Sequence, residues 1–335
     1  MLAYIPYPSW IHPQIVPFLP VRWYGLMYLI AFAIAYLLFR YQLREQSIKP
    51  EKDVVLDMFF WGIVGLLVGA RAFAVTIYDS TGYYLHHPLQ IILPVAVVDG
   101  KIRLTGIAGM SYHGGLVGAT IAIVIFLRVK KISVLQWGDM LVSGIPLGYT
   151  FGRLGNFINA ELYGRVTRVP WGMVFPGAES FSSGQPWVQD YARSVGMPLP
   201  TTGLVNLPRH PSQLYEAFFE GFVLWLIMWF IVRKRKPYDG FGIACYVIGY
   251  AVIRFFIEYV RQPDKGIDWP IRFVHVDNPV YQFTPFNFTT GQILNVLMIT
   301  GAVVFLYVLR RRARLNAAAP ASAPPSARKL RKKLK

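Results

Sequence analysis

The chain has 335 residues, 54% of them hydrophobic and only 15% charged, whereas soluble domains run about 45–50% apolar and about 25% charged. Its net charge of +17 has the sign of a nucleic-acid binder, but the basic residues sit in short runs between long apolar stretches. That pattern points to a membrane protein with no nucleic-acid partner.

The first twenty residues hold five prolines and no basic cluster, so they do not read as a cleavable signal peptide. They are expected to form an extended aromatic arm at a membrane surface, with Trp10 at headgroup level. Seven stretches then have the length and apolarity to cross a hydrocarbon core of about 30 Å: 23–39, 54–78, 113–129, 134–151, 212–232, 240–260 and 291–309. The third and fourth are short and polar for spans. Cys245, the single cysteine, excludes an internal disulfide and a CxxC site, and its apolar neighbours make it a packed, inert thiol.

Basic residues gather at 40–53, 128–133, 233–238 and from 310 onward, which together hold 21 of the 34 Lys and Arg. With seven spans these segments share one side, so the positive-inside rule sets the N-terminus outside and the C-terminus in the cytoplasm. The expected fold is therefore an all-α polytopic membrane protein of seven transmembrane helices with a small periplasmic head. Its parts are an arm (1–22), spans one to four (23–151), the head (152–211, with short strands near 171–175), spans five to seven (212–310) and a disordered basic tail (311–335). That tail suits anionic lipid on the inner leaflet. No internal or inverted repeat is visible, which counts against a multi-pass transporter of an anionic or lipid substrate.

Charges inside spans cost roughly 2.5–3.5 kcal/mol each, so each needs a partner or a task. At 111–118, His113 meets a glycine-rich helix start. This is read either as a ligand-facing turn or as tight helix packing. At 152–165, Arg153, Asn156, Asn159, Glu161 and Arg165 are threaded by Gly152, Gly155 and Gly164. The set suits an anionic headgroup, because arginine grips phosphate with two parallel hydrogen bonds. Tyr250, Arg254 and Glu258 follow at i, i+4 and i+8 on one helix face, with Arg261 just beyond. His210 and Glu216 flank the start of the fifth span, where Ser212 is a candidate cap and Glu216 reads as an ordinary first-turn acid. Arg71 has no obvious local partner. The six histidines are scattered and no HExxH or acidic cluster appears, so neither a metal nor another cofactor is expected.

GRLGNFINAELYGRVT (152–167) closely resembles the signature of the prolipoprotein diacylglyceryl transferases. WYGLMY (23–28), SYHGG (111–115), RHPSQLYE (209–216) and RFFIEYVRQPD (254–264) resemble that family's further motifs in the same order. Ala160 stands where many members have glycine, and Tyr163 where many have tryptophan. The resemblance implies seven spans with the N-terminus outside, in a bacterial inner membrane, and an active site toward the periplasmic face. It implies transfer of the diacylglyceryl group of phosphatidylglycerol to the lipobox cysteine of a preprolipoprotein signal peptide, giving a thioether and glycerol 1-phosphate. His113, Arg254, Tyr250 and Glu258 become the catalytic candidates, and Arg153, Asn156, Glu161, Gly164, Arg261 and His210 the substrate-binding ones. Arg153 matches the family's phosphatidylglycerol-binding arginine. The expected arrangement has Arg153 and Arg254 on the phosphate, with Glu258 and Tyr250 holding Arg254. His113 either takes the thiol proton or packs and hydrogen-bonds.

Overall fold

The computed structural model describes residues 4–16, 22–77, 82–86, 91, 95–98, 101–104, 110–262, 269–276 and 284–317. The basic tail beyond Ala317 and the Pro263–Asp264 end of the last motif lie outside them. The longer helices among the described residues are α1 (Trp23–Glu45), α2 (Val54–Thr76), α3 (Tyr112–Val129), α4 (Val134–Val142), α5 (Ile145–Ile158), α6 (Pro186–Ser194), α7 (Ser212–Arg235), α8 (Phe241–Ile257) and α9 (Thr290–Ala317). Five of them, α1, α2, α3, α7 and α9, are long and apolar enough to cross a membrane. Helix α8 has 17 residues, about 26 Å at 1.5 Å per residue, slightly short of a full hydrocarbon core. The stretch expected as one helix over 134–151 is two. A turn at Ser143–Gly144 separates α4 from α5, and Pro146, which has no N–H to offer, stands in the first turn of α5.

The chain divides into two compact units, residues 40–137 and residues 1–39 with 138–335. In the first, glycine decides the packing. A Cβ on Gly65, Gly69, Gly114 or Gly118 would run into the backbone of the facing helix, so α2 and α3 touch main chain to main chain in antiparallel sense. Such contact is how helices associate where lipid removes the hydrophobic drive. Leu67, Val68, Leu116, Ile121 and Ile125 are left exposed, as lipid-facing side chains are. Arg71, which has no obvious local partner in the sequence, meets one twenty residues on. Its Nε donates to the Ile91 carbonyl at 2.7 Å, and its guanidinium lies 4.7 Å from the Tyr84 ring centre.

In the second unit, glycines of α5 again set the spacing. A Cβ on Gly148 would meet the Ala31 carbonyl at 2.9 Å, and one on Gly155 would meet Tyr24 and Met27. That face packs on α1. The other face carries Tyr149, Arg153 and Asn156. Asp139 of α4 caps α8 from a distance, accepting from Gly240 N at 2.8 Å and Ile243 N at 2.9 Å. Helix α9 begins with a capping box: Gln292 N donates to Thr289 Oγ1 at 3.2 Å, and Thr289 N to Gln292 Oε1 at 2.9 Å.

Residues 159–211 form a small folded cap. Strand β1 (Ile5–Pro6) of the N-terminal arm pairs in parallel with β4 (Met173–Val174), where β2 (Val95–Val98) and β3 (Lys101–Leu104) form an antiparallel pair in the other unit. Strands β5 (Phe181–Ser182) and β6 (Leu204–Val205) pair antiparallel beside α6. Val166, Val188, Ala192 and Leu207 fill the cap's core. The arm also reaches the end of α5, where Tyr7 Oη donates to the carbonyls of Phe157 and Ile158 at 2.9 and 3.0 Å.

Candidate active site

The site grows from three helix ends. Arg153 and Asn156 extend the Tyr149 row of α5 toward its C-terminus. Helix α7 contributes Glu216 and Glu220, and α8 contributes Arg254, with Glu258 one step past its end. Residues 216–223 of α7 are π-wound, as are 227–232, and such local widening is frequent at functional sites. Beside it Gly221 lets Thr150 come close, since a Cβ there would strike the threonine side chain.

These elements converge on Glu216, whose side chain is fully buried. Its Oε2 lies 2.8 Å from Arg153 Nε and 3.1 Å from Arg254 Nη1, and its Oε1 lies 3.9 Å from Arg261 Nε. Arg254 also meets Glu220 at 3.6 Å through Nη1 and Glu258 at 3.3 Å through Nη2. Tyr149 joins the two sides: Arg153 Nε donates to its hydroxyl at 2.7 Å, and that hydroxyl donates to Glu220. Tyr250 packs edge-on to Tyr149, centroids 6.2 Å apart. Gly291 at the start of α9 leaves room for the Glu258 carboxylate, which a Cβ there would meet at 2.9 Å. Arg153 and Arg254 are thus not a bare pair of cations but share one buried carboxylate, and Tyr250, expected to hold Arg254, packs on Tyr149.

The exposure of these groups decides which can meet a ligand. The Arg153 and Arg254 side chains keep 12% and 11% of their surface, while Glu216 and Glu220 keep none. An arriving anion therefore meets guanidinium first. Arg153 Nη1 donates to Asn156 Oδ1 at 3.3 Å, and among the described residues Nη2 has no partner.

Beyond α5 the signature folds back on itself. Asn156 and Asn159 both donate to Glu161 Oε1, at 2.9 and 3.3 Å. Ala160 and Leu162 adopt left-handed φ of 54° and 57°. The Glu161 and Leu162 carbonyls accept from Gln213 Nε2 at 2.6 Å and Ser212 Oγ at 3.1 Å, so Ser212 does not cap α7 as expected but ties it to the signature. Gly164 runs between two backbones, donating to the His210 carbonyl at 2.8 Å, and a Cβ there would collide with the Val260 carbonyl. Close approach of three chain segments is thus a sufficient reason for glycine.

His210 Nδ1 lies 3.3 Å from Tyr215 Oη. Burial, helped by the nearby Arg165 guanidinium, pushes its imidazole down to about 4, so at neutral pH it offers hydrogen bonds and not charge. Its neighbour Arg209 is fully buried between the Tyr163 and Phe181 rings, donating to the Glu179 carbonyl at 3.0 Å. His113 stands in the other unit, exposed in the first turn of α3 behind the Ser111 cap, which accepts from Gly114 N at 3.1 Å. Its glycine neighbours take the packing reading, since Gly114 and Gly118 press against α2.

Sequence reasoning missed Glu216, Glu220 and Tyr149. Glu216 passed for a helix-start acid. The signal was available: two acids four residues apart in an otherwise apolar span both call for cations.

The family model described as prolipoprotein diacylglyceryl transferase matches residues 11–308. A Treponema denticola protein named phosphatidylglycerol–prolipoprotein diacylglyceryl transferase is 45% identical, over 92% of this chain and 95% of its own. Proteins of the same name from Chlorobaculum tepidum and Campylobacter lari are 40% and 36% identical, covering 91% and 87% of this chain and 92% and 90% of theirs.

Proposed function

The chain belongs to the prolipoprotein diacylglyceryl transferase family, and from that premise we propose how its own residues carry the reaction. It is a membrane transferase of lipoprotein maturation. It moves the diacylglyceryl group of phosphatidylglycerol to the lipobox cysteine thiol of a preprolipoprotein, forming a thioether and releasing glycerol 1-phosphate. The observation that carries the site assignment is the meeting of Arg153 and Arg254, from different helices, on the buried Glu216 carboxylate.

The thiolate sulfur attacks the glyceryl carbon, the carbon–oxygen bond breaks, and the electron pair leaves on the phosphate. An ordinary thiol of pKa about 8.5 is already ~3% ionised at pH 7, so full ionisation contributes only about 2 kcal/mol. Enzymes remove roughly 8–23 kcal/mol from such barriers, so deprotonation is the smaller part. The larger part is charge gathering on the leaving phosphate, which fixed donors in a water-poor site stabilise. Arg153 offers Nη2, which has no partner among the described residues, and Arg254 the small part of its side chain left exposed. Glu216 and Glu258 keep both guanidiniums in place before the lipid arrives, so little reorganisation is needed at the moment of reaction. Asn156, Glu161 and Gly164 shape the turn beside Arg153, and Arg261 and His210 flank Gly164 on its two sides. Tyr250 backs Tyr149, and His113 is the candidate for receiving the thiol proton.

The lipid donor calls for a site at a membrane interface. The reading of seven spans, with the N-terminus outside, the C-terminus inside and residues 152–211 as a periplasmic head, is supported by a helical segment at each of the seven expected positions and by the basic runs after α1, α3, α7 and α9. In that topology the arginine cluster faces the periplasmic side of a bacterial inner membrane. Labelled phosphatidylglycerol and a lipobox peptide, followed by glycerol 1-phosphate release and peptide mass, test the proposal. Wild type releasing the product while Arg153→Ala does not supports both activity and site. A silent wild type, where a known transferase works, rejects it.

A further inference from the structure

The three glutamates of the cluster are not equivalent. Glu216 lies against three guanidiniums and Glu258 against one at 3.3 Å, with 8% of its side chain exposed. Glu220 is fully buried, its nearest cation among the described residues is Arg254 Nη1 at 3.6 Å, and its Oε2 accepts from the Tyr149 hydroxyl. Its ion pair is the longest of those Arg254 makes, and it is set in an otherwise apolar stretch of α7. Replacing a whole buried ion pair by apolar residues is often neutral or stabilising, so a buried carboxylate is weak evidence of a purely stabilising role.

Its contacts point to a different task. Glu220 touches both arginine supports: Arg254 directly, and Arg153 through the Tyr149 hydroxyl that accepts from Arg153 Nε. The close approach of α5 and α7 at Gly221, one residue on, is what brings Tyr149 within reach. In direct ion contact are three guanidiniums, of Arg153, Arg254 and Arg261, and three carboxylates, of Glu216, Glu220 and Glu258. With all three carboxylates ionised, the cluster is electrically balanced before any lipid binds. Without one carboxylate it would carry a net positive charge and hold a phosphate more tightly, most of all a phosphate monoester product with more negative charge than the diester substrate.

We propose that Glu220 is a positioning residue that, directly on Arg254 and through Tyr149 on Arg153, sets the spacing of the two guanidiniums and limits their hold on phosphate so that the anionic product can leave. This rests on the reading that those arginines take the headgroup phosphate. Glu220 itself is closed off by its neighbours and meets no substrate.

The test is Glu220→Gln, which keeps the shape and an acceptor for Tyr149 but removes the charge. It is assayed in purified full-length protein with phosphatidylglycerol, a lipobox peptide and added glycerol 1-phosphate. The expected result is a kcat lower by tenfold or more, a KM for phosphatidylglycerol lower by about threefold, and stronger inhibition by glycerol 1-phosphate. Arg254 keeps Glu216 and Glu258, so the unfolding temperature in detergent changes little. Wild-type kinetics overturn the proposal. So do a raised KM and a lowered unfolding temperature together, which mark a structural role. Tyr149→Phe, which keeps the Glu220 charge, is expected to lower kcat without tightening product inhibition, and normal turnover there overturns the proposal even if the Gln variant cannot be recovered. A wild type that turns over beside an unaffected Glu220→Gln rejects this inference alone, whereas an inactive wild type rejects the function beneath it.

Discussion

The arginine–glutamate cluster at the ends of α5, α7 and α8 and the glycine seam between α2 and α3 both stand out in the sequence as interruptions of apolar helices. They solve opposite problems. In the cluster, side chains too polar for lipid neutralise one another across three helices, and the contacts run through guanidinium and carboxylate. In the seam, side chains are absent, and the gain is main-chain contact that any Cβ would prevent. One region tolerates change of size but not of charge geometry. The other tolerates no added atom and contains no charge to lose. A residue unusual for its helix therefore signals chemistry in one case and shape in the other.

Substitutions of matched severity separate the two. The largest effect is expected for Arg153→Lys, which keeps the charge but loses the Nε contacts to Tyr149 and Glu216 and the second donor. Its kcat/KM should fall by about 10²–10³, roughly 3–4 kcal/mol of transition-state stabilisation, with little change in unfolding temperature. Near-normal product release would break the comparison from the cluster side. In the seam, Gly118→Val should destabilise by about 2–3 kcal/mol, read as a lower unfolding temperature in detergent, because the backbone opposite cannot yield as a flexible side chain does. An unaltered transition would mean the two helices are not held by that contact.

A smaller effect concerns pH. His210 has its folded pKa held at about 4, below the ordinary value of 6.5. The unfolded state therefore binds the proton more readily, and the imidazole's contribution to stability is whole above about pH 6.5 and declines as pH falls toward 4. Unfolding temperatures at pH 5 and 7 should differ more in wild type than in His210→Gln. Equal differences would remove His210 from the account. The smallest effect is a gain. Ala160 sits at φ 54°, where glycine is relaxed and alanine is strained, so Ala160→Gly should stabilise by about 0.5–1 kcal/mol after the entropy glycine adds to the unfolded chain. The glycine that many family members carry at this position is the residue its backbone prefers.

Much of the site was legible from local spacing. Arg254 and Glu258 do pair across i, i+4, and Arg153, Asn156 and Glu161 do form one hydrogen-bonded run, because helical periodicity and a tight turn impose those neighbours. The break in the fourth stretch was harder to see, since Ser143 and Gly144 are common inside membrane helices and only Pro146 hinted at an interruption. Arg71 looked unpartnered because its acceptor, the Ile91 carbonyl, carries no side-chain signature at all.

By itself the sequence determined that the protein belongs in a membrane, which stretches are helical, and which polar residues needed an explanation. Those properties follow from composition and from periods of a few residues, where the cost of placing a charge or a proline is local. Only the tertiary structure decided that Glu216 stands between Arg153 and Arg254, that Glu220 reaches Tyr149, and that Gly164 lies between the His210 and Val260 backbones. Those contacts join residues some forty to a hundred positions apart. No local preference encodes them, because the partner of a buried charge is fixed by which helices pack together, and that is settled by the glycine and aromatic contacts of the whole bundle.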